Sequence, residues 1–145
     1  MPRKQPDSSV PRLLLDALRP IQRELNAQRT VSTGKLGILR HLVDGDRATT
    51  TELAARIRVS PQAVSLATRE LESLGLIART QDAEDRRRAW FVLTDAGRAR
   101  YDAELLTGVD WLAKAIDQRL TADEAQRLAD AIPALAKLTA EDLDA

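Results

Sequence analysis

Two helix-start signals in quick succession, followed by a hairpin signal, leave the stretch from Thr49 to Thr94 little choice of fold. Thr49 and Glu52 stand as a capping box just ahead of the apolar positions Leu53, Ala54 and Ile57, so a short helix is predicted from near Thr49. Arg58 and Val59 make a brief connection. Ser60 is then placed to cap, and Pro61 sits at a first helical position, where its missing N–H costs nothing. The second helix closes at Gly75. Leu76 and Ile77 open a strand whose partner is Ala89 to Leu93, rich in aromatic and β-branched residues.

With Val64 set at 0° and each residue advanced by about 100°, Ala67, Thr68, Leu71 and Leu74 fall on one apolar side of the second helix. That side is the expected core face. Gln62, Ser65, Leu66, Arg69 and Ser73 collect opposite, with Ala63, Glu70 and Glu72 on the flanks, which suits a helix laid in the major groove of DNA. The hairpin tip, Asp82-Ala83-Glu84-Asp85-Arg86-Arg87-Arg88, carries three acids and then three arginines; the arginine end can reach a phosphate or a narrow minor groove. Helix, turn, helix and hairpin in this order make a winged helix-turn-helix. Each polar group also has a plainer reading. The arginines serve equally as a solvated hairpin tip, Gln62 and Ser65 as ordinary exposed residues, and Arg69 as an ion-pair partner of Glu70 or Glu72.

The Asp85-x-Arg87 pair, followed by Leu93-Thr94 and the small-residue step Ala96-Gly97, resembles the wing signature of the MarR family of bacterial transcriptional regulators. The resemblance covers roughly the full length, because that family flanks its winged helix with terminal helices that pair two subunits. It implies a recognition helix from Pro61 to Leu74, with Ser60, Gln62, Ser65, Leu66, Arg69 and Ser73 facing DNA. Arg87, flanked by Arg86 and Arg88, would enter the minor groove, with Asp85 as the wing brace. It also implies release from DNA by a small aromatic or phenolic effector lodged between the DNA-binding lobe and the dimer helices. The chain departs from the family where Leu66 and Glu70 stand, positions at which many relatives carry basic residues. A groove-facing leucine still suits a thymine methyl, whereas Glu70 near phosphates needs a compensating cation.

Both flanks read as helices. Over 10–29, Val10, Leu14, Leu18, Ile21 and Leu25 repeat at helical spacing, Leu13 and Leu15 widen the stripe, and Pro20 is expected to bend it. Over 95–145, Thr94 is placed as an N-cap, and Tyr101, Leu105, Val109, Leu112, Ile116 and Leu120 form a long seam. Thr121 and Glu124 then make another capping box before Leu128, Ile132, Leu135 and Leu138, a run interrupted by Pro133. These terminal helices carry more apolar stripe than one small subunit covers. A two-fold homodimer is expected, through Leu14, Leu18, Ile21, Val109, Leu112, Ile116, Ile132 and Leu135. The helix from about Thr33 to Val43 offers Leu36, Leu39, Leu42 and Val43 to the lobe, 33–94, and supports it from behind. The fold class expected is therefore mainly α with a small β-hairpin wing, a single domain over 1–145.

The 145 residues carry zero formal net charge, but the charge is polarised. Residues 1–45, 46–100 and 101–145 sum to +4, +2 and −6, which would turn the acidic end away from a polyanion. Without cysteine there is no disulfide, thiolate sensor or cysteine zinc site, and the single His41 builds no histidine cluster; it reads as a partly buried structural residue. No Gly-rich phosphate loop, H-E-x-x-H pattern or nucleophile–base pair argues for an enzyme, and no cofactor or metal is expected. Trp90, Phe91, Tyr101 and Trp111 read as core or interface anchors. No apolar run long enough for a membrane span exists, and MPRKQPDSSV lacks a signal peptide's apolar centre, so a cytoplasmic, nucleoid-associated protein is expected. Arginine outnumbers lysine 18 to 4, which suggests a GC-rich bacterial genome. The expected partners are double-stranded DNA at a pseudo-palindromic operator and a second copy of the chain, with repression as the expected outcome. The competing function is a winged-helix protein-interaction module with weak or no specific DNA binding, for which Leu66 and Glu70 speak.

Overall fold

The computed structural model describes residues 9–140. Six helices and one hairpin follow in order: α1 (Ser9–Gln28), α2 (Thr33–Asp44), α3 (Thr50–Ile57), α4 (Pro61–Ser73), β1 (Ile77–Gln81), β2 (Ala89–Leu93), α5 (Asp95–Arg119) and α6 (Ala122–Lys137). Two compact units divide between Gly108 and Val109, within α5.

In the first unit, each element starts where local chemistry supplies a partner for orphan backbone groups. Ser32 caps α2. Thr49 and Glu52 close a reciprocal capping box on α3, and Ser60 caps α4, with Pro61 just inside it. Arg58 ends α3 in the left-handed region at φ 56°, a conformation its side chain pays for and a glycine would not. α4 ends in a Schellman turn: the Gly75 N–H donates to the Glu72 carbonyl at 2.9 Å and the Leu76 N–H to the Leu71 carbonyl at 3.0 Å, with Gly75 at φ 72°.

The core forms where α2 packs on α3, α4 and β2. Ile38, Leu39, Leu53, Val64 and Leu71 are its largest fully buried side chains, with Leu36, Leu42, Leu76, Ile77, Phe91 and Tyr101 around them. The apolar face read from Val64 holds through Leu71 but not to Leu74, which is 60% exposed. Leu74 is the C-cap, so the chain has already begun to leave the helix when its side chain departs. The antiparallel hairpin pairs Ile77 with Leu93 through Gln81 with Ala89, and Ala48 bridges to Phe91 on the other edge of β2.

The step from wing to α5 is tight. Thr94 accepts from the Gly97 N–H at 3.0 Å and donates its hydroxyl to the Gly75 carbonyl at 2.7 Å, so one residue caps α5 and fastens it to the end of α4. A Cβ on Gly97 would stand 2.0 Å from the Leu76 carbonyl oxygen, which explains the glycine in the Leu93-Thr94-Asp95-Ala96-Gly97 run. Further along α5, the buried Glu104 carboxylate accepts the Thr30 backbone N–H (3.1 and 3.2 Å) and its hydroxyl, and is met by Arg100 Nε at 3.3 Å. This ties α5 to the segment between α1 and α2. No reading of the sequence singled out this cluster.

α1 and α6 run unbroken through Pro20 and Pro133, against the expected interruption at the latter. Both prolines lie at exposed positions, and a proline inside a helix frees one carbonyl without having to end it. Neither helix buries a residue: Val10, Leu13, Leu15 and Ile21 of α1 are exposed, as are Leu128, Ile132 and Leu135 of α6 and the C-cap Leu138. Of the α5 seam, Tyr101 is buried, Ile116 is half-buried, and Leu105, Val109 and Leu112 are exposed. Leu120 follows the helix end. Among the described residues, no helix is long and apolar enough to cross a membrane.

Candidate nucleic-acid interface

α4 sorts its residues as its periodicity requires. Val64, Thr68 and Leu71 are buried against the lobe, while Gln62, Leu66, Arg69 and Ser73 are exposed and Ser65 is half-buried. Leu66 is 59% exposed, an apolar side chain set among polar ones. The Ser60 hydroxyl accepts from the Ala63 N–H at 3.1 Å, and the Ser73 hydroxyl donates to the Glu70 carbonyl at 2.7 Å, so both have structural work besides any contact with a partner. Glu70 stands apart from that exposed set. It pairs with Lys35 of α2, which supplies the cation that the sequence reading sought in Arg69 or another neighbour. Arg69 makes no ion pair among the described residues.

The wing tip is organised by two aspartates. Asp85 accepts the Arg87 backbone N–H at 2.9 Å, bracing the tip through main chain rather than through the guanidinium. Asp82 does more than the sequence suggested. Its Oδ1 accepts the Glu84 N–H at 2.9 Å, and its Oδ2 accepts Trp90 Nε1 at 3.1 Å. The Glu84 N–H, then the Trp90 indole, hold its carboxyl below the usual aspartate range. An Asp followed two residues later by a backbone N–H partner is an Asx turn, so the motif was available in Asp82-Ala83-Glu84. Arg86, Arg87 and Arg88 are all exposed, and Arg88 lies 5.7 Å from the Trp90 ring centroid. Trp90 is half-buried on the wing rather than a core anchor, with Arg47 stacked 4.0 Å from its centroid, whereas Phe91 and Tyr101 are core.

Two adjoining hollows join helix and wing. A cavity of about 270 Å³ is lined by Thr49, Thr50, Thr51, Glu52, Arg79, Arg87 and Arg88. The other is lined by Thr50, Ser65, Thr68, Arg69, Glu72, Arg79 and Phe91. Thr50 and Arg79 belong to both, so Ser65 and Arg69 of α4 adjoin Arg87 and Arg88 of the wing across Arg79, a residue the sequence reading passed over. Gln62, Leu66, Ser73 and Arg86 stand outside these hollows. No group of three His, Asp or Glu among the described residues is arranged to hold a metal ion.

The MarR family model matches residues 31–89, the span from the start of the lobe to the wing. Over these residues the chain matches the MarR family, and its winged helix-turn-helix is of that type. The chain is similar to the HTH-type transcriptional repressor MdtR of Bacillus subtilis (strain 168), at 34% identity over 95 residues, a match covering 66% of this chain and 61% of MdtR. The X-ray structure of YusO from Bacillus subtilis matches with TM-score 0.74 at 28% identity, over 94% of this chain and 99% of that one. Apo wild-type MarR from E. coli shares the fold, with TM-score 0.76 at 22% identity over 90% of this chain and 96% of that one. The fold expected from the sequence, mainly helical with a two-stranded wing, is the fold found. MdtR is named as a transcriptional repressor.

Proposed function

We propose that this protein is a homodimeric, sequence-specific DNA-binding regulator that represses transcription from a pseudo-palindromic operator in the bacterial cytoplasm. The observation that carries the reading is the pairing of surfaces. α4 buries one face in the lobe and exposes the other, and the arginine-bearing wing adjoins that exposed face across Arg79. In this reading Gln62, Ser65, Leu66 and Arg69 read base edges in the major groove, with Ser60 and Ser73 at the ends of the helix. Arg87, with Arg86 and Arg88, reaches the minor groove while Asp85 holds the tip. Two recognition helices about 34 to 36 Å apart would enter successive major grooves. The uncovered apolar residues support a second copy: Leu14, Leu18 and Ile21 on α1, Val109, Leu112 and Ile116 on α5, and Ile132 and Leu135 on α6 are each exposed or half-exposed in the single chain.

Effector control has a candidate location within the first unit. A cavity of about 190 Å³ between α2 and α5 presents Arg29 and Arg40 beside Leu36, Tyr101 and Leu105. That chemistry suits a small aromatic or phenolic ligand. Such a ligand releases DNA only if it binds the DNA-incompetent form more tightly.

A fluorescence-anisotropy titration tests the reading, using duplex from the gene's own upstream region and a scrambled control at two salt concentrations. Preference for the native duplex by about three or more orders of magnitude is expected of a specific regulator. No binding to either duplex would favour the protein-interaction reading, which Leu66 alone still supports now that Glu70 is paired.

A further inference from the structure

We propose that Arg47, in the turn between α2 and α3, is a DNA-phosphate contact of this protein, held in place by stacking on Trp90. The inference rests on the DNA-binding reading and adds to it a residue outside both the recognition helix and the hairpin.

The turn is fixed to the wing before Arg47 is considered. The Ala48 N–H donates to the Phe91 carbonyl at 3.1 Å and the Phe91 N–H returns to the Ala48 carbonyl at 2.8 Å, so residue 47 adjoins a pinned position on the edge of β2 away from β1. From there the Arg47 guanidinium lies 4.0 Å from the Trp90 centroid. Trp90 is itself tethered through Nε1 to Asp82 and carries Arg88 at 5.7 Å. One indole thus gathers a cation from the turn, a cation from the wing and the carboxylate that shapes the tip.

Stacking occupies the face of a guanidinium and leaves its in-plane N–H donors free, the geometry that grips a phosphate with two parallel hydrogen bonds. Arg47 is exposed and forms no ion pair among the described residues. The acids nearby have other duties: Glu52 accepts the Thr49 N–H at 2.9 Å and Asp82 is bound to Glu84 and Trp90, while Asp44 and Asp46 of the same turn are exposed and unpaired with Arg47. Arg88 also lines the hollow shared by Thr49, Thr50, Thr51 and Arg79, so the basic surface continues from Arg47 past the wing to the start of α3. A cation beside the wing rather than at its tip suits the rim of a groove. It therefore adds affinity on any duplex and no base preference.

The test is the salt dependence of DNA binding for the full chain and for Arg47→Gln, with native upstream and scrambled duplexes. The expected result is a slope of log affinity against log salt shallower by about 0.9, the value of one phosphate contact, with affinity falling by about the same factor on both duplexes. Arg47→Lys, which keeps the cation and gives up the planar stack, keeps the slope while losing affinity. Parent-like slope and affinity in Arg47→Gln, with its melting temperature unchanged, would overturn the proposal and leave the DNA-binding reading standing. Absence of binding by the unmodified chain would overturn both.

Discussion

Lys35 of α2 and Glu70 of α4 form an ion pair that joins the two helices. Its members are partly exposed, so it adds at most about 1 kcal/mol to folding. Its larger effect, if α4 lies in a DNA groove as proposed, concerns the sign of charge on that helix, because an unpaired carboxylate there would oppose a polyanion. Lys35→Ala is expected to weaken DNA binding about three- to tenfold while shifting stability by less than about 1 kcal/mol. Adding Glu70→Ala should recover the lost affinity. A double-mutant cycle by anisotropy checks this, and independent, additive losses would refute it.

Asp82 holds the wing tip by a backbone turn and an indole bond at once. Asp82→Ala should leave the melting temperature nearly unchanged, since the residue lies outside the core, yet lower DNA affinity by loosening Arg87 and Arg88. Amide exchange at Glu84 should quicken in parallel. Unchanged exchange at Glu84, or tighter binding as the loss of a carboxylate alone would give, would refute the ordering role.

Gly97 has no room for a methyl group, its virtual Cβ lying 2.0 Å from the Leu76 oxygen and 2.7 Å from Leu93 Cδ1. Because the opposing atom is backbone, Gly97→Ala must shift α5 or the wing base, at a cost of about 3 kcal/mol. Leu71→Ala, which only empties core volume, should cost about 2 to 5 kcal/mol. Urea unfolding measures both. The distinguishing expectation is that Gly97→Ala also reduces DNA affinity at temperatures where the protein remains folded.

Glu104 gives acid sensitivity a defined address. Burial pushes its carboxyl up, but the Thr30 hydroxyl, the Thr30 N–H and Arg100 outweigh burial and hold it below the ordinary 4.5. A group depressed in the folded state stabilises fully above its unfolded value. That contribution is lost as pH falls below 4.5 through the folded value. The parent should therefore lose melting temperature on this descent more steeply than Glu104→Gln, which should be the less stable protein at neutral pH. Parallel curves for the two would show that Glu104 contributes nothing to acid unfolding.

The elements most legible in the sequence were those whose signals are local. Thr49 with Glu52, Ser60 with Pro61, Thr121 with Glu124, and Gly75 each name a helix end through a hydrogen bond spanning a few residues. The left-handed Arg58 was illegible because neither glycine nor asparagine marks it. Leu74 was misplaced because a helical wheel carries on past the end of the helix. The polar face of α4 and the arginines of the wing were visible as residue types. Their shared neighbours, Thr50 and Arg79, were not, since these meet only when the hairpin packs back on α3 and α4. Glu104 with Thr30, and Lys35 with Glu70, are likewise contacts between segments far apart in sequence, and nothing local announces them.

The placement of Trp90 gives the protein an optical reporter of its own. An indole whose N–H is bound to a carboxylate and whose ring lies near two guanidinium groups emits from a strong local field, and its spectrum must change when any of those neighbours is drawn away. The only other tryptophan, Trp111, lies on the stretch of α5 beyond Gly108. With Trp111→Phe as background, ultraviolet emission becomes a label-free record of what the wing is touching.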